Sequence, residues 1–367
     1  IADISMLAPQ QKMRVVLPYK LDQYKNQKDV MLNIEFRLKK DETMLKAGDI
    51  VAHQQLPIRE FTGSDLAVNP TATKAVKLTD KKKEPQLTLA SQNFTLQFDR
   101  ATGFISKYEV GGKSLLGEGG SLKPNFWRAV TDNDMGAGVQ KTFAAWRTPE
   151  LNLRSIAADK KTKTVTAEYD MPTVQSTLTL TYQVDENGVL NVTQSLKTTP
   201  GAKVSEMLRF GMIMNLPYNM DQAQWNGRGP VENYSDRKLS QNVGIYKSTA
   251  DKLFFPYVRP QETGTMSDLR WWQETDQNGF GFRIESDKLF SASALHYDLL
   301  ALDEGEEKHQ RHSQSVEKSK YTNMFIDLVQ EGVGGVNSWD ADGRARKGHR
   351  VEYKDYTFKF RISPKTK

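Results

Sequence analysis

The sequence predicts an all-β protein whose larger part has too many strands for one simple sandwich. Short alternating runs rich in Val, Thr, Tyr and Phe recur along the 367 residues, and Gly, Asn and Asp separate them. Only residues 139–146 have the pattern of a helix. No fixed-period repeat occurs, which argues against propellers and solenoids. The fold class therefore follows from strand periodicity and from the near absence of helical periodicity.

Residues 1–62 are typical of the later part of an immunoglobulin-like β-sandwich. Residues 13–19 and 30–38 alternate as strands do, and residues 48–61 have room for two or three more strands. This segment is too short for a complete sandwich of about seven strands. The chain also begins with isoleucine rather than methionine. We therefore expect a partial immunoglobulin-like domain within a piece of a longer protein.

Residues 63–85 are predicted to be an interdomain linker, because they mix Thr, Lys, Asp and Pro without periodicity. Their lysines form the densest basic run of the chain, but no aromatic residues lie among them to stack on nucleic-acid bases. Elsewhere the basic residues, 51 in the whole chain, are interspersed with the 45 acidic ones. The net charge of +6 therefore predicts no nucleic-acid partner.

Residues 86–367 carry strand patterns to the end and are predicted to form the large β domain. Turn sequences at residues 99–103 and 185–188 end in Gly103 and Gly188, which permit the positive φ of hairpin turns. The predicted strands of this domain are residues 87–89, 94–98, 164–169, 176–184, 189–196, 207–214, 279–285, 324–328 and 356–362.

Composition excludes several classes of protein. The chain has no cysteine, which rules out disulfides, thiolate catalysis and cysteine-ligated zinc. No run of about 18 apolar residues occurs, so the sequence predicts no membrane span. His309 and His312 have the spacing of a weak metal pair, but no third ligand accompanies them. We predict no metal and no cofactor in this chain, and its compartment stays open between periplasm and cytoplasm.

The first of four clusters of polar and aromatic residues spans residues 125–136. It places two aspartates around an asparagine but lacks the glycine and distal glutamate of a calcium-binding EF-hand loop. Taken alone, it is typical of a polar loop whose Asn and Asp side chains bond their own backbone. Its candidate residues are Arg128, Thr131, Asp132, Asn133, Asp134 and Gly136.

The second cluster, residues 225–237, has two glycines that resemble a phosphate-binding loop. Pro230 follows them where such a loop needs free N–H groups and a helix start, so nucleotide binding is not predicted. The charged side chains suit either ion pairs that hold an irregular loop or contacts with sugar hydroxyls. These residues are Arg228, Glu232, Asp236 and Arg237.

The third and fourth clusters contribute aromatic residues. The third spans residues 256–264 with Glu262, and Trp271 and Trp272 follow on a strand, where at most one of them can face the core. The fourth, residues 332–340, places Asn337, Ser338 and Trp339 after a glycine-rich run. A tryptophan on such a loop is suited to stacking on the apolar face of a pyranose ring.

In this order, the four clusters together resemble the small-chain domain of the β-galactosidases of glycoside hydrolase family 2. The resemblance covers residue 87 to the end, and residues 51–55 resemble the end of the immunoglobulin-like domain that precedes it. It implies a large antiparallel β-sandwich of the galactose-mutarotase-like type, which folds over the mouth of a (β/α)8 barrel. That barrel would hold the two catalytic glutamates of a retaining mechanism. Because the sequence shows no strand–helix alternation of a barrel, we assign no catalytic residue to this chain.

The resemblance also implies roles for the candidate residues. Trp339, with Asn337 and Ser338 beside it, matches the tryptophan that stacks on the second sugar or the aglycone. Residues 131–136 match a mobile loop at the active-site entrance, with Gly136 at a hinge-like position. The implied partners are a galactoside, the barrel and N-terminal domains of the same bacterial enzyme, and a second copy in a homo-oligomer. Any Mg and Na would bind in the barrel.

Three functions compete. The first is an accessory domain of a β-galactosidase, which the four clusters in order favour. The second is an independent carbohydrate-binding module. The third is an enzyme related to aldose epimerases, whose general acid and base would have to be His296 and Glu262.

Overall fold

A computed structural model of the chain describes residues 7–17, 20–67, 73–307, 309 and 311–366. The chain divides into two compact units, Ile1–Thr62 and Gly63–Lys367. Antiparallel strands make up most of the regular structure, which confirms the predicted all-β class. No helix in the described ranges is long and apolar enough to cross a membrane.

The smaller unit is built on one hairpin of β1 (Val30–Arg37) and β2 (Ile50–Arg59). Residues 48–61 therefore form one long strand rather than two or three, because β2 pairs with β1 over nearly its whole length. Residues 13–17 form no strand, since no neighbouring strand pairs with them in the described ranges, and residues 18–19 lie outside those ranges. No described residue of this unit is buried, so the hairpin encloses no core of its own.

In its described residues, the larger unit contains the other strands and four short α-helices, and each strand predicted within residues 86–367 is present. Its strands are β3 (Lys77–Thr79), β4 (Gln86–Ala90), β5 (Phe94–Asp99), β6 (Ile105–Val110), β7 (Lys113–Ser114), β8 (Leu122–Asn125), β9 (Asn152–Asp159), β10 (Thr164–Met171), β11 (Ser176–Val184), β12 (Leu190–Thr198), β13 (Arg209–Pro217), β14 (Gln222–Gly229), β15 (Asn242–Thr249), β16 (Met266–Thr275), β17 (Gly281–Leu295), β18 (Tyr321–Gln330) and β19 (Tyr356–Lys365). Its helices are α1 (Asp132–Gly136), α2 (Val139–Thr142), α3 (Ala250–Leu253) and α4 (Leu299–Leu302).

Two stretches differ from the sequence prediction. The helix predicted at residues 139–146 is the single turn α2 followed by a 3-10 turn, Ala144–Trp146. The segment predicted as a linker, residues 63–85, contributes β3 to the sheet by pairing with β4. A strand of three residues is too short to produce a recognisable alternation, so periodicity could not identify it.

The strands of the larger unit form one closed hydrogen-bonded network, and the long strand β17 belongs to both of its layers. Residues 281–286 of β17 pair with β19, which leads on through β12, β11 and β10 to β9. Residues 291–295 pair with β18, which leads on through β13 and β8 to β6, β5 and β4. On the opposite edge of β17 lie β16, β14 and β15.

Alternating burial along the strands shows where the core lies. Strands β5, β11 and β12 bury every second side chain, as expected when one face of a sheet is covered. Strand β13 is buried on both faces, and Phe126 packs against its Phe210 with ring centroids 6.0 Å apart. Trp272 lies in the core, whereas Trp271 is only partly buried beneath Arg283, so only one of the adjacent tryptophans faces inward.

Candidate functional site

The four sequence clusters meet at one cleft in the larger unit. The cleft has a volume of about 210 Å³. Every cluster contributes to its lining, which consists of Thr131, Asp132, Asn133, Tyr234, Arg237, Tyr257, Gln261, Glu262 and Val333. Residues that lie some two hundred positions apart in the chain are therefore brought together by the fold.

Helix α1 is fixed at the cleft by reciprocal capping. Thr131 Oγ1 accepts a hydrogen bond from Asp134 N (3.2 Å), and Asp134 Oδ2 accepts one from Thr131 N (2.8 Å). The buried Arg128 donates to the same Asp134 carboxylate at 2.6 Å and to the carbonyl of Gly332 at 2.9 Å. Burial opposes the charge of Arg128, but attraction to Asp134 outweighs it and raises the pKa of the guanidinium. Arg128 thus joins the first cluster to the fourth.

Asp132 connects the first cluster to the third. Its Oδ1 accepts a hydrogen bond from Arg259 Nε at 2.8 Å, and Arg259 also donates to Glu304 at 3.2 Å. The Asp132 backbone N–H donates to the side chain of Gln261 at 3.4 Å. The carboxylate that faces the cleft from α1 is therefore already paired with a cation.

Glu232 connects the second cluster to the third. Its carboxylate accepts hydrogen bonds from Gly264 N (2.7 Å) and Thr263 Oγ1 (3.2 Å), and also from the hydroxyl of Tyr257 and the guanidinium of Arg237. Arg237 nevertheless keeps 49% of its side chain exposed and lines the cleft. Glu232 is thus occupied by protein donors, whereas Arg237 retains exposed surface toward a ligand.

The other two charged residues of the second cluster have different partners. Asp236 accepts hydrogen bonds from the backbone of Val333 (3.1 Å) and Gly334 (2.9 Å), so it holds the glycine-rich segment of the fourth cluster. Arg228, at the end of β14, donates to Asp268 at 2.5 Å and does not line the cleft. Ion pairs therefore hold Arg228, Glu232 and Arg237, backbone hydrogen bonds hold Asp236, and contacts of this cluster with sugar hydroxyls stay a prediction.

Glu262 belongs to a buried group of charges. It accepts hydrogen bonds from Thr265 Oγ1 (2.8 Å) and Arg209 Nη2 (3.2 Å). Arg209 Nε also lies 3.3 Å from Asp327 Oδ2, but without hydrogen-bond geometry, so neither Asp327 oxygen has a hydrogen-bond partner among the described residues. Burial raises the pKa of Asp327 to about 7, against the attraction of Arg209.

Trp339 lies on a loop that rests against α1. Asn337 Oδ1 accepts a hydrogen bond from Trp339 N at 3.1 Å, and the Asn337 carbonyl accepts one from Asn133 Nδ2 at 2.9 Å. A Cβ atom at Gly136 would lie only 2.0 Å from the Ser338 carbonyl oxygen, so this position must be glycine for the loop to approach. Trp339 itself is 77% exposed and does not line the cleft. The hinge-like role of Gly136 stays a prediction.

Sequence reasoning missed Arg209 and Asp327. A signal was available, because each is the only charged residue of a largely apolar strand, Arg209 at the start of β13 and Asp327 within β18. A charge in such a position is expected to be paired or neutralised, since burying it alone is costly. Arg259 was also missed, although it lies within the third cluster.

The acid–base pair considered for an epimerase is not assembled. His296 is buried, with Nδ1 2.9 Å from Asp251 Oδ1 and Nε2 3.0 Å from the Tyr218 carbonyl oxygen, and it does not line the cleft. Glu262 is bound to Arg209. In the part of the chain that the structure describes, no three His, Cys, Asp or Glu side chains are grouped to hold a metal ion.

Comparison with known proteins identifies the family. The family model described as "Beta galactosidase small chain" matches residues 90–362, and that described as "Beta-galactosidase, domain 4" matches residues 1–59. A β-galactosidase of Priestia megaterium is 32% identical over 352 residues, which cover 93% of this chain and 32% of that protein. One from Lactobacillus delbrueckii subsp. bulgaricus is 33% identical over 260 residues, which cover 69% of this chain and 24% of that protein.

The chain therefore spans a third or less of the length of these relatives. Among solved structures, a putative aldose 1-epimerase from Escherichia coli K12 aligns with a TM-score of 0.44 and 9% identity, covering 79% of this chain and 99% of that one. A likeness of this size says nothing about activity. The first family model matches well over half of the residues of this chain, so the chain belongs to the β-galactosidase small-chain family.

Proposed function

We propose that this chain forms one wall of the sugar-binding site of a β-galactosidase, while the groups that cleave the glycosidic bond lie elsewhere in the parent enzyme. The observation that carries the proposal is the convergence of all four clusters on one cleft. The family membership and the relatives named β-galactosidase support the substrate class, a terminal β-D-galactoside.

The lining of the cleft suits a sugar. Arg237 offers donors, Asn133 and Gln261 offer amides, and Tyr257 offers a hydroxyl. Trp339 supplies an exposed ring on the loop that rests against α1. Sugars are bound by such a combination, because their hydroxyls need directed hydrogen bonds while the C–H face of the ring packs on aromatic surface.

The same cleft lacks a suitable catalytic pair among its described residues. A retaining glycosidase needs one free carboxylate as nucleophile and one protonated carboxyl group as acid. The carboxylates that line the cleft are Asp132 and Glu262, and each is paired with an arginine, Arg259 or Arg209. We therefore place the catalytic glutamates, with any Mg and Na, in a (β/α)8 barrel of the parent enzyme.

Exposed apolar side chains support docking of that barrel. Phe255 and Val258 belong to or adjoin the third cluster, Val336 and Trp339 belong to the fourth, and all four are more than half exposed. Large apolar side chains that a folded domain leaves exposed are suited to a contact with another protein surface. We propose that the barrel covers these residues in the parent enzyme.

The first experiment is hydrolysis of a chromogenic β-galactoside by the purified chain. We expect no turnover, because the cleft holds no free acid and nucleophile. Turnover that a substitution at Asp132 or Glu262 abolishes would overturn the assignment of catalysis to another domain.

The exposure of Trp339 favours one alternative, a carbohydrate-binding module that acts without the barrel. Calorimetric titration of the chain with lactose distinguishes it from a wall that needs the barrel. Saturable binding lost in Trp339→Ala would support the module, whereas absence of binding would support a site completed only in the parent enzyme.

A further inference from the structure

Three Asn-Gly pairs occur in the sequence, at residues 187–188, 226–227 and 278–279. Such a pair can react spontaneously, because glycine has no side chain to hinder its backbone nitrogen. That nitrogen bonds to the side-chain carbonyl carbon of the asparagine and closes a cyclic succinimide. The bond from this carbon to the amide nitrogen breaks, and ammonia leaves with the proton of the glycine N–H. None of these residues lines the cleft, so this chemistry is separate from the proposed function.

Two of the pairs lie in hairpin turns with the same backbone hydrogen bonds. The N–H of Gly188 and that of Gly279 each donate to the carbonyl of the aspartate three positions earlier, at 3.1 Å and 3.0 Å. Both glycines have a positive φ, 81° and 85°, which glycine adopts without strain. Because the attacking nitrogen is held in a hydrogen bond, each turn must open before the reaction can occur.

The turn that contains Gly188 is anchored to the rest of the domain. The buried Tyr108 donates its hydroxyl to the Gly188 carbonyl, and Ser91 Oγ donates to the Glu186 carbonyl at 2.7 Å. A Cβ atom at Gly188 would lie only 3.0 Å from Cβ of Phe94, so the backbone packs closely there. Opening this turn therefore breaks bonds and contacts beyond those of the turn itself.

The turn that contains Gly279 has no such anchor. In the described part of the chain, no hydrogen bond joins residues 277–279 to a group outside the turn. A Cβ atom at Gly279 would meet nothing within 4 Å, and Gln277 and Asn278 are exposed. Opening this turn breaks only its own hydrogen bonds, which Asp276 accepts, so it should open more often.

The third pair is protected by its sheet. Asn226 and Gly227 lie in β14, which pairs with β15 on one side and β16 on the other. Gly227 is buried, and a Cβ atom there would lie 2.5 Å from Leu269 Cδ2. The pair can react only after β14 leaves its neighbours, which requires a much larger opening than a turn does.

We propose that Asn278 is a site of spontaneous deamidation and that the anchored turn protects Asn187 from the same reaction. Water opens the succinimide at one carbonyl group to give aspartate, or at the other to give isoaspartate. Either product carries a negative charge that asparagine lacks. Isoaspartate also adds one carbon atom to the main chain of the turn between β16 and β17, so it changes the connection to the strand that both layers share.

The test is incubation of the purified 367-residue chain in a mildly alkaline buffer, followed by proteolysis and mass spectrometry of the peptides. We expect the Asn278 peptide to gain the mass of an amide-to-acid conversion at least about tenfold faster than the Asn187 peptide. That ratio corresponds to roughly 1.4 kcal/mol in the free energy of opening. The Asn226 peptide should stay unchanged. In guanidinium chloride, where the fold no longer distinguishes the pairs, all three should react at similar rates.

Two variants test the reasons. Tyr108→Phe removes the hydroxyl that donates to Gly188, so it should speed deamidation of Asn187 and leave the rate at Asn278 unchanged. Asn278→Gln should abolish the mass gain of its own peptide, because the longer side chain closes a cyclic imide much more slowly. Urea unfolding shows whether each variant folds. If Tyr108→Phe fails to fold, the comparison within the unmodified chain carries the test.

Three results would overturn the proposal. In the folded chain, Asn187 could react as fast as Asn278. The Asn278 peptide could stay unmodified over a time in which the unfolded chain reacts. A folded Tyr108→Phe variant could leave the rate at Asn187 unchanged, which would show that the anchor does not protect it.

Discussion

Three buried charged residues near the cleft and the tryptophan on the neighbouring loop come from the same four clusters, yet they differ in exposure and in the contacts they make. Arg128, Asp134 and Glu262 are buried and hold one another or a neighbouring charge. Trp339 is 77% exposed, and its ring contributes little to the core. The difference teaches that folding depends on the charges, whereas the exposed ring remains available to a ligand.

The largest effect is expected from Arg128→Met. The substitution leaves the Asp134 carboxylate buried without a counter-charge and removes the donor to the Gly332 carbonyl. Breaking one side of a buried ion pair costs about 3–5 kcal/mol, so the free energy of unfolding measured in urea should fall by that amount. Lys197→Met is the matched control, because it breaks an exposed pair with Asp355 and should cost much less. If both variants lost the same free energy of unfolding, the buried pair would contribute no more to stability than the exposed one.

The next effect is expected from Gly136→Ala, which tests how closely the Trp339 loop rests on α1. The new methyl group would meet the Ser338 carbonyl oxygen, so the loop must shift. We expect a loss of about 1–3 kcal/mol in the free energy of unfolding, as for other overpacked positions. Gly348→Ala has open space around its methyl group and should be nearly neutral. A neutral Gly136→Ala would show that the loop is not held against α1.

The sequence could predict much of this fold, because the period of a strand is a local property. Strand β11 was predicted at its observed bounds, since its alternate side chains all face the core. Helix α1 was not predicted, because five residues are too few to show a helical period. The sharing of β17 between two layers was also beyond prediction, since it depends on pairing with β18 and β19 far along the chain.

For the candidate site, the clusters could be predicted but their pairings could not. The sequence singled out Arg228 and Glu232 together, yet Arg228 binds Asp268 while Glu232 binds Gly264 N. Nothing in the sequence around Asp268 identifies it as the partner of Arg228. A backbone N–H group cannot be identified as a partner from sequence, because nearly every residue has one. The sequence therefore identified which residues border the site, but the partner of each residue depends on tertiary contacts.

A third effect concerns the pH dependence of stability. Because burial raises the pKa of Asp327 to about 7, its contribution to stability is fully present below pH 4 and is lost as pH rises toward 7. In urea unfolding, the free energy of the unmodified chain minus that of Asp327→Asn should therefore fall with rising pH across this range, by up to about 1.4 kcal/mol per unit. Burial also raises the pKa of Glu331 to about 6, against the attraction of Arg344. Because Glu331 is present in both proteins, its titration cancels when the two free energies of unfolding are subtracted. Parallel pH profiles would show that Asp327 does not titrate in this range.

The smallest effect on folding is expected from Trp339→Ala. Because the ring is largely exposed, the free energy of unfolding should change by less than about 0.5 kcal/mol. Trp272→Ala removes an equally large ring from the core and should cost about 3–5 kcal/mol, which makes it the matched control. For the parent enzyme, the proposed function predicts that Trp339→Ala raises KM for lactose more than it lowers kcat, because stacking would support the bound substrate as well as the transition state. An unchanged KM would show that Trp339 does not contact the sugar. The buried charges would then still differ from Trp339 in their effect on stability, but Trp339 would have no role in binding.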